Sequence, residues 1–255
     1  IHGADDGFEF FGGTVNAKYL ISYKNLDDDF DTDFGYSGKI QFGVVVRDPF
    51  LADVSKSEGF ESDNDGSGSI NSPRTSPVFS NMTVVGPKRL ATDVSPTNFQ
   101  SDFYYGIHHR RSSRLNLFNS VFMGFDEGGV FFDGAVVQGD TANFTYKNNV
   151  FTGVTKLVEP VTLNAWFTSY NNSLLPNPND VLLKAPYNQN SPILIPQAGS
   201  VLLSGASFTD PKVADPFFTP VSYRGAFSGN GAERWDIGWA NFDPQGAYYG
   251  SADLV

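Results

Sequence analysis

The sequence predicts an all-β chain wound as a parallel β-helix with a loop-rich C-terminal capping region, and three observations carry that prediction. The first is a repeat. FSNMTVVG from Phe79, LFNSVFMG from Leu117 and YKNNVFTG from Tyr146 share Asn at the third place and Gly at the eighth, as Asn81, Asn119, Asn148 and Gly86, Gly124, Gly153. Two earlier stretches, AKYLISYK from Ala17 and QFGVVVRD from Gln41, fit the frame without the Asn and Gly, and the fifth place is β-branched throughout: Ile21, Val45, Thr83, Val121 and Val150. The third places lie 24, 38, 38 and 29 residues apart, as expected of one coil plus loops of varying length. The second observation is composition: 24 Phe and 26 Gly against only 18% charged residues suit inward aromatic stacks and tight turns, not long surface helices. The third is the near absence of a sustained 3.6-residue period.

Each element follows in order. In the repeated segments, places three and five point to one side of a strand, so the Asn and the β-branched residue are expected to form inward columns. A buried Asn is tolerable there because its amide can bond the amide of the next coil and a neighbouring backbone. Glycine at the eighth place suits the turn that ends the strand. Between these segments lies a second recurrent strand: GFEFFGG at Gly7, DFDTDFG at Asp29, GFESDND at Gly59, GIHHRRS at Gly106 and GVFFDGA at Gly129. Its second residues, Phe8, Phe30, Phe60, Ile107 and Val130, form an inward apolar column. Its third residues, Glu9, Asp31, Glu61, His108 and Phe131, face outward, followed two places on by Phe11, Asp33, Asp63, Arg110 and Asp133.

After Gly153 the repeats fade, and ten of the 15 Pro fall between Pro160 and Pro244. The expected division is therefore β-helix coils over residues 1–154, and the last coils with a C-terminal cap over 155–255. Trp235 and Trp239 stand four residues apart and suit a cap over the open apolar end. The functional alternative to the cap is a ligand-binding platform of these two with Trp166, Tyr248 and Tyr249, on which sugars stack.

Charge narrows the function. A net charge of −11 argues against nucleic acid and against anionic membrane surfaces, and no apolar run is long enough to cross a bilayer. Absence of Cys removes disulfides and thiolate metal sites. Stacked strands lie about 4.8 Å apart, so Asp31 with Glu61 and Asp33 with Asp63 would be like charges at close range. Two explanations stay open. One is a Ca²⁺ site drawn from Asp31, Asp33, Glu61 and Asp63, with Asp27 to Asp29 or Asp65 in reach, because an all-oxygen set favours Ca²⁺. The other is a salt-bridge ladder in which Arg110 and Arg111 neutralise the acids. An enzymatic reading draws on the same face, with His108, Arg110 and Glu61 as catalytic candidates for an acidic-polysaccharide lyase or a glycoside hydrolase. The arginines of HHRRSSR also suit bracing a turn or pairing with Asp102 and Asp126. Three His, at 2, 108 and 109, make no persuasive His-based metal site, and no phosphate loop, GxSxG or HExxH occurs.

The succession DDGFEFFGGTVN, DDDFDTDFGYSGKIQFG, GFESDND, SPVFSNMTVVGP, RRSSRLNLFNSVFMGF and GAFSGNGAERWDIGWANFDP resembles secreted or lipid-anchored bacterial right-handed parallel β-helix proteins, common in Bacteroidota, over most of the chain. The resemblance implies a pectin-lyase-like, right-handed solenoid and export to the bacterial cell surface, in association with the outer membrane. It also implies a longer precursor, with earlier coils or a partner chain covering the first coil. It supplies no catalytic assignment. The expected function is a non-catalytic, Ca²⁺-stabilised surface protein that binds glycan or another surface component. The alternatives are the lyase or hydrolase, and a structural subunit of a larger surface assembly.

Overall fold

The computed structural model describes residues 2–248 and 250. In chain order the strands are β1 (Phe8–Phe11), β2 (Ala17–Tyr23), β3 (Phe30–Asp33), β4 (Lys39–Val46), β5 (Phe60–Ser62), β6 (Val78–Val85), β7 (Tyr105–His109), β8 (Asn116–Phe118), β9 (Val121–Met123) and β10 (Gly128–Phe132). A short helix α1 (Ala135–Gly139) precedes β11 (Tyr146–Lys147), β12 (Val150–Thr152) and β13 (Val158–Glu159). Helix α2 (Asn164–Ser169) then precedes β14 (Ser173–Leu175), and β15 (Leu183–Ala185) and β16 (Ile193–Pro196) pair as an antiparallel ribbon. No helix among the described residues is long and apolar enough to cross a membrane.

The chain alternates between two parallel sheets. β1, β3, β5, β7, β10 and β13 line up in that order in the first, and β2, β4, β6, β8 with β9, β11 with β12, and β14 make the second. Parallel sheets need cover on both faces, and the two share one core. Phe30, Phe60, Ile107, Val130 and Val158 of the first sheet pack with Ile40, Phe79, Leu117, Phe122 and Phe151 of the second. The first-sheet register matches the expected alignment residue by residue: Phe8, Phe30, Phe60, Ile107 and Val130 are successive partners.

The second sheet departs from expectation in two ways. First, Val44 rather than Val45 pairs with Ile21 and Thr83, so the stretch at Gln41 aligns one residue earlier. Phe42 then occupies the third place. The column Tyr19, Phe42, Asn81, Asn119, Asn148 and Asn171 is left-handed at every step, with φ of 62, 61, 57, 53, 61 and 60°. Asn recurs because it tolerates this conformation better than other side chains. Asn171 adds one more pass, and Asn171-Asn172-Ser173 echoes Asn148-Asn149-Val150.

Second, the fifth place faces away from the shared core. Ile21, Val44, Val121 and Val150 pack against Val181, Leu183, Leu194, Leu202, Ala226 and Phe227. The residues after β14 therefore run along the outer face of the second sheet as an arm. The Asn column bonds this arm as well as itself. Asn148 Nδ2 donates to Asn119 Oδ1 at 3.3 Å, while Asn119 Oδ1 accepts from Ser207 N at 2.9 Å and Asn119 Nδ2 donates to Ser207 O at 3.1 Å. Asn119→Ala should cost about 2 kcal/mol, because it strands buried partners and puts a Cβ-bearing residue without a local hydrogen bond in the left-handed region. Asn119→Gly should lose less, and urea unfolding of both variants measures the backbone share.

The end after β13 is closed by α2. Trp166 sits there, half-buried against Phe132, Phe144 and Phe167. Trp235 and Trp239 do not close an end. They lie on the flank beside β2, with Trp235 5.3 Å from Tyr19 between ring centres.

Candidate functional site

The outward row of the first sheet runs Glu9, Asp31, Glu61, His108, Phe131, Glu159 in unbroken register. A carboxylate on three successive strands about 4.8 Å apart is unfavourable unless protons or cations intervene. Arginine intervenes at one end of the acidic run. Arg110 reaches from the end of β7 to two acids of the preceding pass, with Nε 2.9 Å from Asp63 Oδ1 and Nη2 on Glu61, and Arg111 Nη1 lies 2.7 Å from Asp63 Oδ2. Asp63 is almost wholly covered by this pairing, its side chain 4% exposed.

The four residues expected to share one cation share the face but not their partners. Glu61 and Asp63 belong to the arginines, and Asp33 caps the backbone N–H of Phe34 at 2.6 Å. Asp31 instead converges with Asp6 and Glu9, and its Oδ1 is buried without a hydrogen-bond partner. Burial, reinforced by the negative charges of Asp6, Asp63, Asp33 and Glu9, pushes the Asp31 carboxyl up to about 8. Asp29 pairs with Arg47, and Asp65 is tied to Ser67 and Ser69. The remaining arginine of the cluster, Arg114, holds Asp140 at 2.6 Å. Asp102 and Asp126 pair with Lys56 and Lys88, not with the arginines.

His108 lies mid-row, stacked on Phe131 at 5.1 Å with Tyr104 at its edge. Its Nδ1 is 3.2 Å from Glu58 Oε1 and 3.8 Å from Glu61 Oε1, and its Nε2 is 3.2 Å from Asp133 Oδ2. Burial pulls this imidazole down, but the hydrogen bond and charge of Glu58 outweigh it and leave the pKa raised. His109 faces the core instead. It bonds Ser113 O at 2.9 Å and Tyr146 Oη at 3.1 Å, and burial lowers its pKa to about 4.

Glu58 is absent from the sequence-based set, yet it belongs to a third acidic column. Asp28 N donates to Asp6 Oδ1 at 2.9 Å, and Glu58 N donates to Asp28 Oδ1 at 2.6 Å, so each carboxylate satisfies the amide of the next pass. The signal was present as an acid two places before the inward Phe, in Asp6-Gly7-Phe8, Asp28-Asp29-Phe30 and Glu58-Gly59-Phe60.

The expected sugar platform divides. Trp166 is committed to the core end, and Tyr249 lies outside the described residues. Trp235 stacks on Phe227 at 4.9 Å and donates its Nε1–H to Ala226 O at 2.8 Å, which fixes its plane. Trp239 stacks on Trp235 at 6.0 Å and is 58% exposed. Beside Trp239 is a cavity of about 250 Å³ lined by His2, Ile21, Tyr23, Asn241 and Phe242.

A family model described as a pectate-lyase like beta helix domain matches residues 1–184 of the 255. No curated protein and no solved structure matches the chain.

Proposed function

The chain belongs to the pectate-lyase-like β-helix family, and from that premise we propose that it is a right-handed solenoid that binds glycan at the bacterial cell surface without cleaving it. The observation that carries this reading is the Trp235–Trp239 stack over its cavity. A rigid aromatic plane beside polar groups such as Asn241 and His2 fits the apolar face and hydroxyl rim of a sugar ring. The non-catalytic part rests on Arg110, which engages the Glu61 and Asp63 carboxylates that general acid–base work would need free.

Trp239→Ala should weaken binding to the best ligand of a polysaccharide panel by tenfold or more, about 1.4 kcal/mol. Because Trp239 is largely exposed, the melting temperature should hardly move. Unchanged binding would remove the platform, and release of unsaturated or reducing ends from any polysaccharide would replace binding with catalysis.

The lyase or hydrolase reading keeps one favouring observation: Asp31 and Glu61 are adjacent carboxyls, both raised chiefly by burial, as an acid catalyst requires. A Ca²⁺ ion on this face would draw on Asp31 with Asp6 and Glu9, where the buried Asp31 Oδ1 lacks a donor. Calcium titration by calorimetry on the parent protein and on Asp31→Asn tests that assignment.

A further inference from the structure

We propose that Glu58, Glu61 and His108 form a binding site for a first-row divalent transition ion of the Zn²⁺ type, separate from the oxygen-only cluster around Asp31 and from the aromatic flank. Their ligand atoms, two carboxylate oxygens and the His108 Nδ1, all lie within 4.8 Å of one another. Zinc bonds of about 2.0–2.1 Å at tetrahedral angles put neighbouring ligand atoms about 3.3 Å apart. The Nδ1 separations from Glu58 Oε1 and Glu61 Oε1 are 3.2 and 3.8 Å, so small side-chain adjustments suffice. An imidazole nitrogen in the set selects against Ca²⁺, which prefers oxygen alone, and toward zinc-like ions.

The outer shell points the same way. Metal-bound histidines usually hand their second ring N–H to a carboxylate, and His108 Nε2 faces Asp133 Oδ2 at 3.2 Å. Glu61 is oriented through its other oxygen by Arg110, and the backbone N–H of Glu58 is anchored on the buried Asp28 carboxyl at 2.6 Å. Stacking on Phe131 fixes the plane of the His108 ring. Two ligands on strands β5 and β7 and a third at the corner just before β5, each held by a further residue, give the rigidity a metal site requires.

The competing account is an imidazolium: with a proton on each ring nitrogen, His108 would bond Glu58 and Asp133 with no metal. The two accounts differ at Nδ1, which carries a proton in one and a metal in the other.

The test uses the full chain stripped with chelator, then titrated with Zn²⁺ by calorimetry and with Co²⁺ by visible absorption. One equivalent of each should bind, and the Co²⁺ form should show the intense bands of a low-coordinate site. Glu58→Gln and His108→Ala should each weaken Zn²⁺ binding by tenfold or more, and Asp133→Asn, which leaves all three ligands in place, by about tenfold. ¹⁵N spectra of the parent protein give a readout that needs no variant, since Zn²⁺ should replace the Nδ1 proton and shift the His108 ring nitrogens, Nδ1 most, while those of His2 and His109 stay in place. Absence of binding, or binding that neither Glu58→Gln nor Asp133→Asn weakens, or a spectrum in which Nδ1 keeps its proton at saturating Zn²⁺, would overturn the site in favour of the imidazolium.

Discussion

Replacing Arg47 with Met should lower the unfolding free energy by about 3–5 kcal/mol, the usual cost of leaving one partner of a buried ion pair alone. Arg47 follows β4, and its side chain and that of Asp29 are both 0% exposed, with Nε 2.8 Å from Asp29 Oδ2. That contact lies off the line of the N–H, so it is coulombic more than a directed hydrogen bond. The directed bonds go to backbone: Nη1 to Asn25 O at 2.9 Å, and Nη2 to Asp27 O and to Glu58 O, the last at 2.8 Å. One guanidinium thus ties the corner before β3 to the corner before β5. Methionine matches the stem but strands three carbonyls and the Asp29 charge. Asp29→Asn should cost less, because Ser22 and Asn25 continue to bond the same side chain. Guanidinium unfolding of Arg47→Met, Asp29→Asn and the double variant gives the coupling directly. Near-additive effects would show that Arg47 acts through the carbonyls alone.

Raising the pH from 5 to 9 in chelating buffer should destabilise the protein, and Asp31→Asn should flatten that decline. Asp31 keeps its proton to about pH 8 when folded, against an ordinary value of 3.8, and burial raises Asp6 to about 7. The folded state therefore binds more protons than the unfolded state between about pH 4 and 8, and stability must fall as pH rises through that window. For Asp31 the loss should reach roughly 3 kcal/mol once solvent screening is allowed for. Buried His109 works in the opposite sense: its lowered pKa removes stability as pH drops from about 6.5 towards 4, so it offsets part of the change from Asp31 and Asp6 in that range. At pH 5 Asp31→Asn should resemble the parent, since asparagine mimics the protonated acid. At pH 9 it should be the more stable of the two. Thermal melts across the range check the sign, and a parent that gains stability up to pH 9 would mean the row is ionised and balanced by cations.

The first sheet was legible because one place in each of its strands carries a large apolar residue and the next, in every strand but β10, a polar one. A slip of one residue would have buried Glu9, Asp31 and Glu61 in the core. The second sheet resisted because both of its faces are buried. Val44 and Val45 are both apolar, so nothing local distinguishes inward from outward, and the left-handed place that Asn marks in four passes is filled by Phe42 and Tyr19 in two others. On the site, Glu61, His108 and Arg110 were placed together by strand periodicity alone. Glu58 lies at a corner, where period-two reasoning stops. The path of the arm had no local signature, since its bonds reach back across the chain, as from Lys18 to Thr219, 201 positions apart.

That arm changes how the molecule should come apart. Stacked repeats that touch only their neighbours tend to fray from an end and to fold from any starting point. Here residues after 180 grip β2, β4, β6, β9 and β12 together, so loss of any one pass loosens the clasp on the others, and melting should be all-or-none. The ordering in time is reversed as well. During synthesis the earliest strands emerge long before the segment that covers them, leaving Ile21, Val44 and Val121 bare until the last third of the chain is made. Such long-range closure is slow, and the interval before it is when this protein is most exposed to aggregation and most in need of a chaperone.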